Sequence, residues 1–139
     1  LVDFRQIEQL CSAFDNPKTE IATLGIRSDS KEDIENSNRV KIVVDTNDQA
    51  LYFSRSVIPN NRTTEWDNYP YLRHIGLYAY RKNVLMNLVE LSTTLLEKAE
   101  ALEQLRWLYY GHKITVVETN IETPNIDVPS DVEKVLKFL

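Results

Sequence analysis

Apolar positions along the chain alternate between two periods. Phe4, Ile7, Leu10, Cys11 and Phe14 recur at steps of three and four, the face of an amphipathic helix, which Asp15-Asn16-Pro17 ends. Glu20 to Ile26 reads as a strand. Residues 27–38 are polar and suit a surface connection with room for one helical turn. Arg39 to Asp45 is a strand, Asp45-Thr46-Asn47-Asp48 a turn and Ala50 to Ser54 the returning strand, so the pair predicts an antiparallel hairpin. Ser56 to Pro70, with two prolines and three asparagines, reads as an irregular loop of the length that often carries function. Tyr71 to Tyr80 is a strand and Lys82 to Leu91 a helix. Leu95, Ala99, Leu102, Leu105 and Leu108 keep helical spacing to Tyr110, with Gly111 as the C′ residue. Lys113 to Val117 is a strand, Glu118 to Asp127 a connection, and Pro129 opens a last helix through Phe138. Strands alternating with helices predict an α/β layered domain on a mixed sheet.

Composition narrows the function. At 139 residues the chain fits one domain. Sixteen basic against 21 acidic residues leave a net charge of −5, the wrong sign for coating nucleic acid or an anionic membrane. A hydrophobic content of 42% is incompatible with a wholly disordered chain. One cysteine, Cys11, allows no internal disulfide and no Cys-rich zinc site, and His74 and His112 add little for a metal. No apolar run approaches the roughly 20 residues of a membrane-spanning helix, and the start carries no secretory signal, so a cytoplasmic protein is expected. The chain does not open with Met, as a piece of a longer protein would not.

Gly25, Gly76 and Gly111 are far apart, so neither a P-loop nor a dinucleotide fingerprint exists, and no nucleophile elbow is present. Polar residues in unusual places remain. Arg55 follows the strand Ala50-Leu51-Tyr52-Phe53 and Arg62 lies in the loop behind it; two guanidinium groups there can grip a carboxylate or phosphate, or simply sit in solvent. His74 lies inside a strand and can donate to a ligand on one sheet face, with Tyr78 on the same face by period-two spacing and Gly76 leaving room between them. Glu103 and Gln104, expected in mid-helix, can bind sugar hydroxyls or form a solvated flank with Arg106. Asp127 can cap the final helix or contribute one carboxylate to Mg²⁺.

Four motifs recur together: Ala50-Leu51-Tyr52-Phe53-Ser54-Arg55-Ser56 with Ile58-Pro59 and Arg62; Arg73-His74-Ile75-Gly76-Leu77-Tyr78-Ala79-Tyr80-Arg81; Leu102-Glu103-Gln104-Leu105-Arg106 with Gly111; and Ile126-Asp127-Val128-Pro129. In order and spacing the chain resembles the C-terminal half or more of the 3-deoxy-manno-octulosonate cytidylyltransferases, the CMP-KDO synthetases. The resemblance implies a three-layer α/β/α sandwich of the nucleotide-diphospho-sugar transferase type and a homodimer. It implies transfer of CMP from CTP to KDO with release of pyrophosphate, for lipopolysaccharide synthesis. By the same resemblance Arg55 and Arg62 belong to the acid-sugar pocket, His74, Tyr78, Glu103 and Gln104 contact KDO, and Asp127 is one of two Mg²⁺ carboxylates.

Departures from the family pattern are specific. The strand and basic loop that hold the CTP triphosphate, and the Asp-bearing segment that supplies the other metal carboxylate, have no counterpart in these residues. Residues 1–139 are therefore expected to be the sugar-binding and dimerising C-terminal part of one domain, inactive alone. Val128 replaces the usual Thr and is a poor N-cap; Asn125 stands where the family has Gly. A non-catalytic sugar-binding or dimerisation module, or a cytidylyltransferase for a related acidic sugar such as an 8-amino variant, are the alternatives.

Overall fold

The computed structural model describes residues 2–62, 69–123 and 136. Its elements are α1 (Phe4–Ser12) with a 3₁₀ turn at Ala13–Asp15, β1 (Ile21–Ser28), α2 (Lys31–Glu35), β2 (Lys41–Val44), β3 (Ala50–Ser54), β4 (Tyr71–Tyr80), α3 (Lys82–Leu88), α4 (Leu95–Glu100), α5 (Gln104–Tyr109) and β5 (Ile114–Thr119). The helix expected from Pro129 to Phe138 and the candidate Asp127 lie outside the described residues.

Five strands form one mixed sheet in the order β3-β2-β4-β1-β5. The β2–β3 hairpin is antiparallel as its turn predicts, β4 runs antiparallel to both β1 and β2, and β1 with β5 is the parallel pair. Alternation along β4 divides its side chains. Leu72, Tyr78 and Tyr80 join a core with Val84 and Leu88 of α3 and Leu105 and Trp107 of α5. Ile75, Leu77 and Ala79 join Leu10 of α1, Ala22, Leu24 and Ile26 on the other face. Helices thus cover both faces, giving the three layers expected. Among the described residues no helix is long and apolar enough to cross a membrane.

Two glycines act through geometry. Gly111 has φ +87° and terminates α5 as a C′ glycine should. Gly25 lets β1 and β4 approach closely: a Cβ there would meet Leu72 Cγ and Cδ1 at 2.9 Å.

Three expectations need correction. The α1 stripe is only partly used, because Leu10 is buried whereas Phe4 and Ile7 are exposed and Gln6 is buried in their place. Gln6 earns that position by closing the Asp3 capping box and donating from Nε2 to the Ile121 carbonyl at 3.0 Å. Helix α3 stops at Leu88, three residues early. Most consequentially, the single helix expected over Leu95–Tyr110 is two. Ala101 adopts the left-handed conformation at φ 52°, ψ 48°, which costs an L-residue about 1–2 kcal/mol. Hydrogen bonds from the Arg55 guanidinium to the Glu100 and Ala101 carbonyls offset that cost.

Candidate sugar-binding site

The site grows from an irregularity in the sheet. Pairing of β1 with β4 jumps from Thr23↔Tyr78 to Leu24↔Ile75, so Gly76 and Leu77 bulge out of the ladder and re-aim what flanks them. The Thr23 hydroxyl donates to the bulge carbonyl of Leu77 at 2.9 Å and lies 3.0 Å from His74 Nε2. A hydroxyl has one proton. With that proton on Leu77 O, His74 Nε2 must be the donor to Thr23, and Nδ1 is left as a bare acceptor. Burial pushes the His74 pKa down to about 3, with Arg73 adding repulsion, so the ring is neutral at physiological pH.

Aromatic rings surround it. Phe53 meets His74 edge-on with centroids 5.2 Å apart, His74 lies 5.3 Å from Tyr78, and Trp107 meets Tyr78 and Tyr80 edge-on at 5.3 and 5.6 Å. The Tyr78 hydroxyl is buried with no hydrogen-bond partner among the described residues. Burial, then the neighbouring Tyr80, raises its pKa; burial and Glu103 push Tyr80 up to about 12. Both phenols are therefore protonated donors at neutral pH.

Helix α5 brings the remaining candidates. Glu103 is its N-cap position and Gln104 its first residue, not the mid-helix pair expected. Gln104 is 6% exposed, and its amide makes no hydrogen bond with the described residues. Glu103 is exposed and contacts Arg106 Nη2 at 3.3 Å, while Arg106 is chiefly held in a two-point pair with Glu97 at 2.7 and 2.8 Å. One turn on, Trp107 supplies the ring that touches Tyr78 and Tyr80.

The arginines part company. Arg55 Nε donates to Glu100 O at 2.8 Å, Nη1 to Ser37 O at 3.1 Å and Nη2 to Ala101 O at 3.4 Å, so three of its five N–H groups are spent on backbone. Arg62 is exposed and makes no ion pair with the described residues. His74, Tyr78 and Glu103 are brought together; Arg55 is tied to the α4–α5 junction. Thr23, Phe53, Tyr80 and Trp107 were missed as site residues. Tyr80 shares the Tyr78 face by parity and could have been found, whereas Thr23 and Trp107 come from distant segments. Among the described residues no group of three or more His, Cys, Asp or Glu is placed to hold a metal.

A neutral histidine and a buried phenol thus lie among aromatic rings on the mixed sheet of an α/β nucleotidyltransferase-like fold. The chain belongs to the cytidylyltransferase family, whose model, described as "Cytidylyltransferase", matches residues 1–114. It is 48% identical to the 3-deoxy-manno-octulosonate cytidylyltransferase of Porphyromonas gingivalis, covering 96% of this chain and 56% of the relative. It is 41% identical to the 8-amino-3,8-dideoxy-manno-octulosonate cytidylyltransferase of Shewanella frigidimarina, covering 96% and 55%. A solved CMP:2-keto-3-deoxy-manno-octonic acid synthetase complexed with CTP superposes with a TM-score of 0.90 at 38% identity, over 99% of this chain and 56% of that one. The chain spans a little over half the length of the curated relatives it matches. The family and fold expected from the four motifs are therefore the ones found.

Proposed function

We propose that this chain carries the sugar-binding part of a cytidylyltransferase that transfers CMP from CTP to KDO for lipopolysaccharide synthesis. One observation carries the reading: the Tyr78 hydroxyl is buried without a hydrogen-bond partner among the described residues, beside the neutral His74 ring and in the aromatic cluster that Trp107 completes. A polyol supplies both donors and acceptors to such groups, and a competitor lacking the matching hydroxyls leaves them unpaired and is rejected. The names and closeness of the relatives support the same substrate class.

In the reaction the anomeric oxygen of KDO bonds to the α-phosphorus of CTP, the bond to the bridging oxygen breaks, and pyrophosphate leaves with its electron pair. This chain's residues hold and orient the sugar for that attack. His74 accepts a sugar hydroxyl, Tyr78 and Gln104 donate to the sugar oxygens, and Glu103 accepts at the helix end. With its pKa near 3, His74 is too weak a base to take the attacking proton at neutral pH. Asp127 would hold Mg²⁺, which would supply counter-charge for the phosphates. Arg62 is the arginine with donors left to meet the sugar carboxylate. A second copy of the chain completes the reading, and sedimentation velocity of the full-length protein checks it.

The 41% identical relative named for the 8-amino sugar favours one second reading, that substrate in place of KDO. Pyrophosphate release by the full-length protein, supplied with CTP and either KDO or 8-amino-3,8-dideoxy-KDO, separates them. Release with KDO at the higher kcat/KM is expected. No release with either sugar would end the cytidylyltransferase reading.

A further inference from the structure

Between α4 and α5 the chain makes an elbow that the helical pattern of Leu95–Tyr110 does not call for. Ala101 sits in the left-handed region, where side chains other than glycine are uncommon. What holds it there is a knot between this elbow and the end of β3. The Glu100 carboxylate accepts from the Ser54 hydroxyl at 2.7 Å, from the Arg55 backbone N–H at 2.9 Å and from the Tyr52 hydroxyl at 3.4 Å. Arg55 answers by donating from Nε to the Glu100 carbonyl and from Nη2 to the Ala101 carbonyl. Those are the carbonyls a continuous helix would have used for its own next turn. These bonds hold the carboxylate below its usual pKa, against the opposing effect of its burial, so it is charged at neutral pH.

The elbow decides where α5 begins. Leu102 is buried, Glu103 takes the N-cap position and Gln104 opens the helix, with Trp107 against Tyr78 and Tyr80 one turn later. If α4 ran straight on, residues 102–107 would follow its axis, and the pair Glu103–Gln104 would lose its place beside the phenols. On the far side of the elbow Arg106 grips Glu97 in two bonds and donates to the Leu91 carbonyl, so the two helices are braced from both sides.

We propose that Glu100 is a positioning residue for the sugar: anchored on Ser54 and Arg55, it holds the left-handed break at Ala101 that sets Glu103 and Gln104 at the start of the helix carrying Trp107 to Tyr78. Arg55 serves the same clamp from its other end, through backbone carbonyls. The proposal rests on the sugar-site reading above and names a device for it that touches no substrate. It acts on one substrate and not the other, because the residues that the elbow places, Glu103 to Trp107, belong to the sugar side of this reading.

Steady-state kinetics of the full-length protein with KDO and CTP test it, with the melting temperature read alongside. Glu100→Ala raises the KDO KM about tenfold or more, since a misplacement near 1 Å is enough for losses of that order, and leaves the CTP KM within about twofold. Glu100→Gln, which keeps an oxygen acceptor, recovers most of the loss. Ser54→Ala removes a single donor to the carboxylate and gives the same split at about two- to threefold; it carries the test if Glu100→Ala does not fold. Gln104→Ala is the companion that touches sugar directly. A raised KDO KM in Gln104→Ala with unchanged KDO KM in the Glu100 and Ser54 variants overturns the clamp and leaves the sugar site standing. An unchanged KDO KM in Gln104→Ala removes the sugar-site reading, and the clamp with it. A fall in melting temperature with both KM values rising together reduces Glu100 to a purely structural residue and also overturns the proposal.

Discussion

Lys41 and His74 are ionisable side chains on neighbouring strands, joined by the bond from His74 N–H to Val40 O at 2.8 Å, yet their surroundings are opposite. Lys41 is fully buried, and its three ammonium protons meet three backbone carbonyls, those of Asn36, Arg39 and Arg55, at 3.1, 2.5 and 2.6 Å. Every donor has a partner. Arg55 and Glu100, next along the same edge, are likewise tied to backbone and hydroxyl groups. Around His74 the pattern reverses: the Tyr78 hydroxyl is buried with no hydrogen-bond partner among the described residues, and among those residues the His74 ring pairs through Nε2 alone. A buried polar group without a partner is costly, so a fold keeps one where something else will supply the bond. Saturated polar groups hold the Lys41 edge together, whereas the Tyr78 hydroxyl is left open.

The largest effect tests the saturated side. Lys41→Met takes the donor from the Arg39 and Arg55 carbonyls, while Asn36 O keeps the Arg39 N–H, and lowers stability by about 2 kcal/mol or more, read from urea denaturation of the full-length protein. A loss under 1 kcal/mol would mean that the carbonyl cage contributes little and that the contrast between the regions is false.

Acid attacks the other region first. The folded pKa of His74 is near 3 against 6.5 for the free side chain. A depressed histidine pKa means the unfolded chain binds the proton that the folded chain refuses. This contribution is whole above the unfolded pKa of 6.5 and lost progressively as pH falls toward 3. From pH 7 to pH 5 it removes about 2 kcal/mol. His74→Asn should flatten the stability curve over that window; an equal slope in both proteins would place the ring in water rather than in the core.

Replacing Glu103 and Gln104 together by Ala raises the KDO KM by about tenfold, about 1.4 kcal/mol, with CTP affinity nearly unchanged. Equal kinetics with the parent would assign the pair to a solvated flank instead. The smallest effect is the sharpest. Tyr78→Phe deletes a hydroxyl that makes no well-formed hydrogen bond among the described residues, so stability changes by no more than about 0.5 kcal/mol, while the KDO KM rises a fewfold. A clear loss of stability would reveal a protein partner for that hydroxyl and move Tyr78 into the saturated class. Asp127→Asn adds a separate check, a shifted Mg²⁺ dependence of turnover.

What could be read from the residues alone was whatever local patterning fixes. Period-two runs placed β2, β3 and β4, the turn at Asp45–Asp48 set the hairpin, and Gly111 closed α5, because each rests on backbone preference within a few residues. The face shared by His74 and Tyr78 followed from strand parity, and the family followed from motif order. The break at Ala101 was invisible, since alanine is the best helix former and the groups that hold it, Ser54 and Arg55, lie some 46 residues away in sequence. The same holds for the fate of Arg55, for the acceptor role of His74 through Thr23, and for Trp107 in the aromatic wall. Sequence determined which segments would be strands and helices, because those choices are local. Tertiary structure alone decided which polar atoms were satisfied and which were left open, because each partner arrives from a distant part of the chain.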